Sequence, residues 1–224
     1  MSGLRLELMS MPGDGLSRLL SVCRDLLAGV AEPRVGYLPG AAVFDNYLEL
    51  NRSAFAGLAE VELVDPVAHG RDSILRTLDR IDLLYVPGGN TFVLADRLRR
   101  AGLMTEITDR LRTGLPYVGF SAGAVLCGLD ILNSGDANAC GCRDFAGLGL
   151  LPFSVNVHYP IGEDLAGRAV QAERDERLAA YLHFQTTPVL ALEDDALLRV
   201  DDGGAILTEG HAWVFDASGN RRPY

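Results

Sequence analysis

Short apolar runs of strand length alternate with amphipathic stretches through the first half of the chain, and this alternation limits the fold more than any other feature. Leu4 to Met9, Val35 to Leu38, Val61 to Val64, Ile81 to Val86 and Pro116 to Phe120 read as strands, each followed by a helical pattern or a loop leading to one. Strands interleaved with helices line up in parallel, and right-handed crossovers lay the helices on the sheet faces. Leu16, Leu19, Leu20, Cys23, Leu26 and Leu27 share one helical face, with Arg18, Arg24 and Asp25 largely off it. Ile74, Leu75, Leu78 and Ile81 repeat that spacing. The expectation is an α/β fold around a mostly parallel sheet.

Beyond Gly128 the pattern loosens into the polar stretch Asn133-Ser134-Gly135-Asp136-Ala137-Asn138, and Leu150 to Val157 then resumes an extended apolar run. A helix follows from about Leu165 to His183. The tail reads as strands at Val189 to Leu192, Leu197 to Val200, Ala205 to Leu207 and Ala212 to Phe215, with a hairpin turn at Asp201-Asp202-Gly203-Gly204. These strands are expected to be antiparallel and to extend or flank the parallel sheet. No repeat, low-complexity tract or linker interrupts the chain, and 224 residues at 48% hydrophobic content fit one domain over residues 1–224.

Charge and cysteine usage exclude several functions. The net charge is -10 and all 20 basic residues are arginines, so no lysine-rich stripe exists to neutralise nucleic-acid phosphates, and no lysine can serve as Schiff-base nucleophile or general base. No segment reaches the ~20 apolar residues of a membrane span, and the expected compartment is the cytoplasm. Cys23, Cys127, Cys140 and Cys142 are too few and irregular for a disulfide framework. Cys140-Gly141-Cys142 lacks accompanying ligand spacing, so neither a metal nor a cofactor is expected.

Gly119-Phe120-Ser121-Ala122-Gly123 lies between a strand pattern and a helix pattern. In that context G-x-S-x-G forms a sharp elbow that exposes the serine hydroxyl at the carboxyl end of a sheet, and the N–H of the next residue, Ala122, faces a developing oxyanion. The bland alternative is a serine N-cap on an ordinary helix. Pro87-Gly88-Gly89-Asn90-Thr91 also follows a strand and opens a helix; it reads as a second oxyanion donor through Gly88 or Gly89, as a plain tight turn, or as a phosphate cradle. Four histidines are available as base: His69, His158, His183 and His211. His158 stands at a strand end, where side chains converge on the sheet's carboxyl edge. An α/β-hydrolase arrangement would instead pair Ser121 with His211 and an acid such as Asp195 or Asp201.

Taken together, Gly88-Gly89-Asn90-Thr91-Phe92, the elbow from Gly119 to Ala124, Asn156-Val157-His158 and Ala212-Trp213-Val214-Phe215 resemble the peptidase E group of serine peptidases, which includes aspartyl dipeptidases and, more distantly, cyanophycinases. The resemblance spans most of the chain. It implies a fold akin to class I glutamine amidotransferases (flavodoxin-like), with serine in place of the cysteine nucleophile, acting on small peptides and forming a homodimer. Carried over by position, Ser121 is the nucleophile, His158 its base and Asp136 the acid, with Glu163 and Asp164 as substitutes. Relatives cleave after an N-terminal aspartate, whose carboxylate an arginine recognises in the helix after the histidine. Arg174, in Ala172-Glu173-Arg174-Asp175-Glu176-Arg177, takes that place, and Asn90 joins it as a substrate-binding residue. A cyanophycinase-like action on aspartate-containing polymer and a non-catalytic binding domain are the competing expectations.

Overall fold

The computed structural model describes residues 3–224. Its first half runs β1 (Arg5–Met9), α1 (Ser17–Leu26), β2 (Arg34–Tyr37), α2 (Leu48–Ala54), β3 (Glu60–Leu63), α3 (Arg71–Leu78), β4 (Leu83–Val86), α4 (Thr91–Arg100), α5 (Met104–Arg112), β5 (Tyr117–Phe120) and the single turn α6 (Ala122–Val125). The second half holds β6 (Ser154–Asn156), α7 (Leu165–Phe184), β7 (Val189–Leu192), β8 (Leu197–Asp201), β9 (Gly204–Glu209), β10 (Ala212–Phe215) and β11 (Arg221–Pro223).

A seven-stranded sheet has the order β3-β2-β4-β5-β1-β8-β9. β1 to β5 pair in parallel, and β8 and β9 extend the β1 edge in antiparallel sense. The reason β4 reads as an unbroken apolar run, Leu83-Leu84-Tyr85-Val86, is visible in its packing. Leu84 and Val86 join Ile74, Leu78, Leu94, Leu98 and Ile107 on one face, whereas Leu83 and Tyr85 meet Leu19, Cys23 and Phe55 on the other. A central parallel strand is covered on both sides, so every position is apolar. Full burial of each such side chain is worth about 1.5–3 kcal/mol relative to exposure.

The expected antiparallel tail is present, but it divides. β8 and β9 extend the main sheet, while β10, β11 and β7 enter a second four-stranded sheet, β11-β10-β7-β6, in which β6 and β7 pair in parallel. One face of this sheet, through Val155, Leu190, Leu192 and Ala212, joins the main core; the other, through Val189, Ala191 and Phe215, packs on Leu178 and Leu182 of α7. The strand ends of both sheets meet where β1, β4 and β5 present their carboxyl ends side by side, the usual ligand position in an open α/β sheet. No helix among the described residues is long and apolar enough to cross a membrane.

Candidate active site

Ser121 turns the chain from β5 into α6 at φ 51°, ψ -116°, a strained conformation for a residue with a side chain. Its N–H donates to Met9 O at 3.0 Å, and its carbonyl accepts the N–H groups of Ala124 and Val125. The flanking glycines are steric requirements. A Cβ on Gly123 would stand 2.1 Å from Val86 O, and one on Gly119 would stand 2.7 Å from the Gly123 carbonyl. The serine is thus held up at the end of β5 by the close approach of three backbone segments.

His158, just past β6, is also at positive φ, 55°. Its Nε2 lies 3.0 Å from Ser121 Oγ and its Nδ1 lies 2.7 Å from Asp194 Oδ1. With Nδ1–H directed at a carboxylate, Nε2 is the acceptor for the serine proton. Ser10, fully buried at the end of β1, joins the arrangement: its hydroxyl accepts the His158 backbone N–H at 2.7 Å and donates to Asp194 Oδ1 at 3.0 Å.

The Gly88-Gly89 loop lies against the elbow, since a Cβ on Gly88 would stand 3.0 Å from Ser121 Cβ. Gly89 has φ 135°, and any side chain there would strike Ala41 O. Next to the loop opens a cleft of about 600 Å³ bordered by Met11, Tyr37, Tyr85, Gly88, Phe120, Ser121 and His158. Tyr37, Tyr85 and Phe120 form an aromatic wall, with ring centroids 5.3 and 6.2 Å apart along it.

The model of peptidase family S51 matches residues 9–208. The chain belongs to peptidase family S51. Peptidase E of Streptomyces coelicolor is 35% identical over 178 residues, 79% of this chain and 72% of that protein, and peptidase E of Pasteurella multocida is 30% identical over 188 residues, 84% and 80%. Two solved structures share the fold: a putative peptidase E from Listeria monocytogenes at TM-score 0.72 and 22% identity, covering 93% of this chain and all of the other, and a peptidase from an acI-B1 actinobacterium at TM-score 0.70 and 17% identity, covering 99% and 94%. This S51 chain is accordingly a serine peptidase.

Two expected roles in this S51 peptidase need correction. Asp136 does not meet His158; its Oδ2 accepts from the Thr91 N–H at 2.8 Å and the Thr91 hydroxyl at 2.6 Å, fixing the first turn of α4 beside the glycine loop. A carboxylate is favoured there because the first N–H groups of a helix have no intrahelical acceptor. Asp164 caps α7 through the Gly167 N–H at 2.7 Å and Glu163 is exposed, so the carboxylate on His158 is Asp194. Arg174 does not border the cleft: its Nη1 donates to Asn156 Oδ1 and Val157 O, each at 2.9 Å, behind the strand that carries His158. Burial, followed by the nearby Arg177, pulls its pKa below the usual guanidinium value.

Asn90 does border the cleft, but its side chain is engaged at both ends, Oδ1 accepting the Val93 N–H as the N-cap of α4 and Nδ2 donating to Ala137 O. His211 is held by Asp195, Nδ1 to Oδ2 at 2.8 Å, and so is not the partner of Ser121. Sequence reasoning missed Ser10 and Asp194. The available signal for Asp194 was the acidic triplet Glu193-Asp194-Asp195 directly after the apolar run of β7. The Trp-Val-Phe motif also finds a place: Trp213 of β10 pairs with Ala191 of β7 and donates from Nε1 to Glu193 at 2.7 Å, bracing the strand end that presents Asp194.

Proposed function

We propose that this S51 peptidase is an exopeptidase or dipeptidase that hydrolyses short peptides through an acyl-enzyme on Ser121, with His158 as general base and then general acid, and Asp194 as the group that orients and charge-balances the imidazole. The observation carrying this reading is the continuous chain Ser121 Oγ, His158 Nε2, His158 Nδ1, Asp194 Oδ1, with links of 3.0 and 2.7 Å, on a strained elbow. The Ser121 hydroxyl gives its proton to Nε2 as Oγ adds to the scissile carbonyl. The N–H of Ala122, together with that of Gly88 or Gly89, receives the oxyanion. Collapse expels the amine, which takes the proton from His158; water, deprotonated by the same imidazole, then releases the acid and frees Ser121.

A cleft of about 600 Å³ suits a few residues of peptide rather than a long chain. Specificity for a first aspartate would need a cation inside it, which the position of Arg174 does not supply. The reading extends to a single catalytic unit over residues 1–224, a homodimer and a cytoplasmic setting; the free thiols of all four cysteines and the exposed apolar side chains Phe44, Leu165 and Phe184 support it. Light scattering showing a monomer would remove the dimer.

A fluorophosphonate probe tests the nucleophile: wild type is labelled at Ser121, and Ser121→Ala and His158→Ala are not. Asp194→Asn is expected to keep the fold and lower kcat on a dipeptide by roughly 10²–10⁴-fold. Wild-type kcat in Asp194→Asn would refute the assignment of the acid.

A further inference from the structure

Three consecutive residues at the end of β1 bond to the groups around Ser121. Met9 O accepts the Ser121 N–H at 3.0 Å, Ser10 Oγ meets both the His158 N–H and Asp194 Oδ1, and Met11 O accepts from Arg18 Nη1 at 3.1 Å. The same Nη1 donates to Asp194 O at 3.2 Å. Asp194 is thereby gripped twice from one short segment. Ser10 holds its carboxylate, and Arg18 ties its backbone carbonyl to the residue next to Ser10.

The chain delivers Arg18 to this point by folding the segment after Met11 back on the start of α1. The Leu16 N–H donates to Gly13 O and the Leu19 N–H to Pro12 O, each at 3.1 Å. Gly13 has φ 78°, and a Cβ there would stand 2.9 Å from Arg18 N, so the close approach needs glycine. The Arg18 side chain is 20% exposed, and its Nε pairs with Glu209 Oε2 at 3.0 Å at the end of β9. A planar fork suits this place because it can direct Nε at one segment while Nη1 serves two others. Within the turn from β7 to β8 the other backbone bonds fall on Glu193, whose N–H donates to His211 O and whose carbonyl accepts the Ala196 N–H at 3.0 Å. The Asp194 carbonyl is left to Arg18. The Asp194 side chain is 64% exposed, so its direction depends on these bonds rather than on packing. An imidazole that must keep Nδ1–H on that carboxylate and Nε2 on Ser121 Oγ tolerates little displacement of either.

We infer that Arg18 is a positioning residue of this peptidase: by tying Asp194 O to Met11 O it fixes the turn that aims the Asp194 carboxylate at His158; the inference rests on Ser121, His158 and Asp194 acting as proposed above. Glu209 only anchors the guanidinium from outside. Arg18→Met keeps the stem and removes the donors. On a dipeptide it is expected to lower kcat roughly five- to thirtyfold with KM within about twofold of wild type, and to slow fluorophosphonate labelling of Ser121 in parallel. Glu209→Gln leaves both carbonyl bonds in place and is expected to keep kcat within about twofold of wild type. A double-mutant cycle separates aiming from a general effect on the fold. In an Asp194→Ala background no carboxylate remains to be aimed, so adding Arg18→Met is expected to slow labelling less than about twofold further. Arg18→Lys, which keeps a cation beside Glu209, is expected to show the same dependence on Asp194. Equal fold losses in the two backgrounds, or a rise in KM with kcat unchanged, overturns the role of Arg18 and leaves the peptidase mechanism standing. A wild-type enzyme that no fluorophosphonate labels at Ser121 overturns the mechanism itself, and the role of Arg18 with it.

Discussion

At the scale of single residues, Ser121 and His158, which the structure brings within 3.0 Å of each other, were legible because their signals are local. G-x-S-x-G states its geometry within five residues, and a histidine at a strand end states its direction. The carboxylate that meets His158 was not legible in this way. Asp194 reaches His158 across 36 residues of sequence, from a strand end in the second sheet, whereas Asp136 lies in the loop between Ser121 and His158 and is drawn to the exposed amides of α4 instead. Ser10 carried no motif at all, and its position follows only from the parallel register of β1 with β5, which sets Met9 against Phe120. Among the described residues, its hydroxyl is the link that touches both the backbone of His158 and the carboxylate of Asp194. Ser10→Ala leaves a buried N–H and one carboxylate lone pair without that partner, and the imidazole less firmly directed. Steady-state kinetics should show kcat reduced by roughly tenfold to a hundredfold with KM nearly unchanged; a rise in KM alone would mean that Ser10 contributes to substrate binding instead.

At the scale of elements, strand and helix identities followed from periodicity, and the pairing of strands did not. β4 announces itself as a central strand because both its faces are covered. β7 has the same apolar character, yet it lies outside the main sheet because β6, an element set up some 30 residues earlier beside α6, supplies its parallel partner. Apolarity records burial and says nothing of which neighbour provides it. The start of α4 shows the converse, a local signal with a distant completion. Asn90 caps the helix from within, and Asp136 completes the cap from a loop 45 residues away. Asp136→Ala strips an acceptor from the buried Thr91 amide and hydroxyl, which costs about 1–3 kcal/mol. Thermal unfolding should register this as a loss of several degrees in Tm, while Asp194→Asn should leave Tm near wild type. Equal Tm losses in the two variants would contradict the division of labour between these carboxylates.

At the scale of the whole molecule, the chain crosses between the two sheets three times, and the last two crossings sit beside Asp194. Glu193 to Ala196 leads from β7 into β8, and Gly210 with His211 leads from β9 back into β10. The Glu193 N–H donates to His211 O at 3.1 Å, the His211 N–H donates to Asp195 Oδ1 at 3.0 Å, and the His211 ring meets Asp195 Oδ2 at 2.8 Å. Desolvation alone would raise the Asp195 pKa, but the hydrogen bonds and charge of His211 outweigh it and hold the carboxyl below its usual 3.8; the bond to Asp195 and then its charge raise His211 above 6.5. The depressed acid stabilises the fold above pH 3.8 and loses that effect as pH falls through its own lowered value. The raised base stabilises the fold below pH 6.5 and loses that effect as pH climbs through its raised value. The clamp is therefore complete between these limits and gone in alkali. Substituting His211→Gln should lower Tm more at pH 5.5 than at pH 8.5, with the wild-type advantage shrinking as His211 deprotonates, and salt should weaken it because the pair is exposed to solvent. An equal Tm difference at both pH values would show that the two crossings are held by their backbone hydrogen bonds alone.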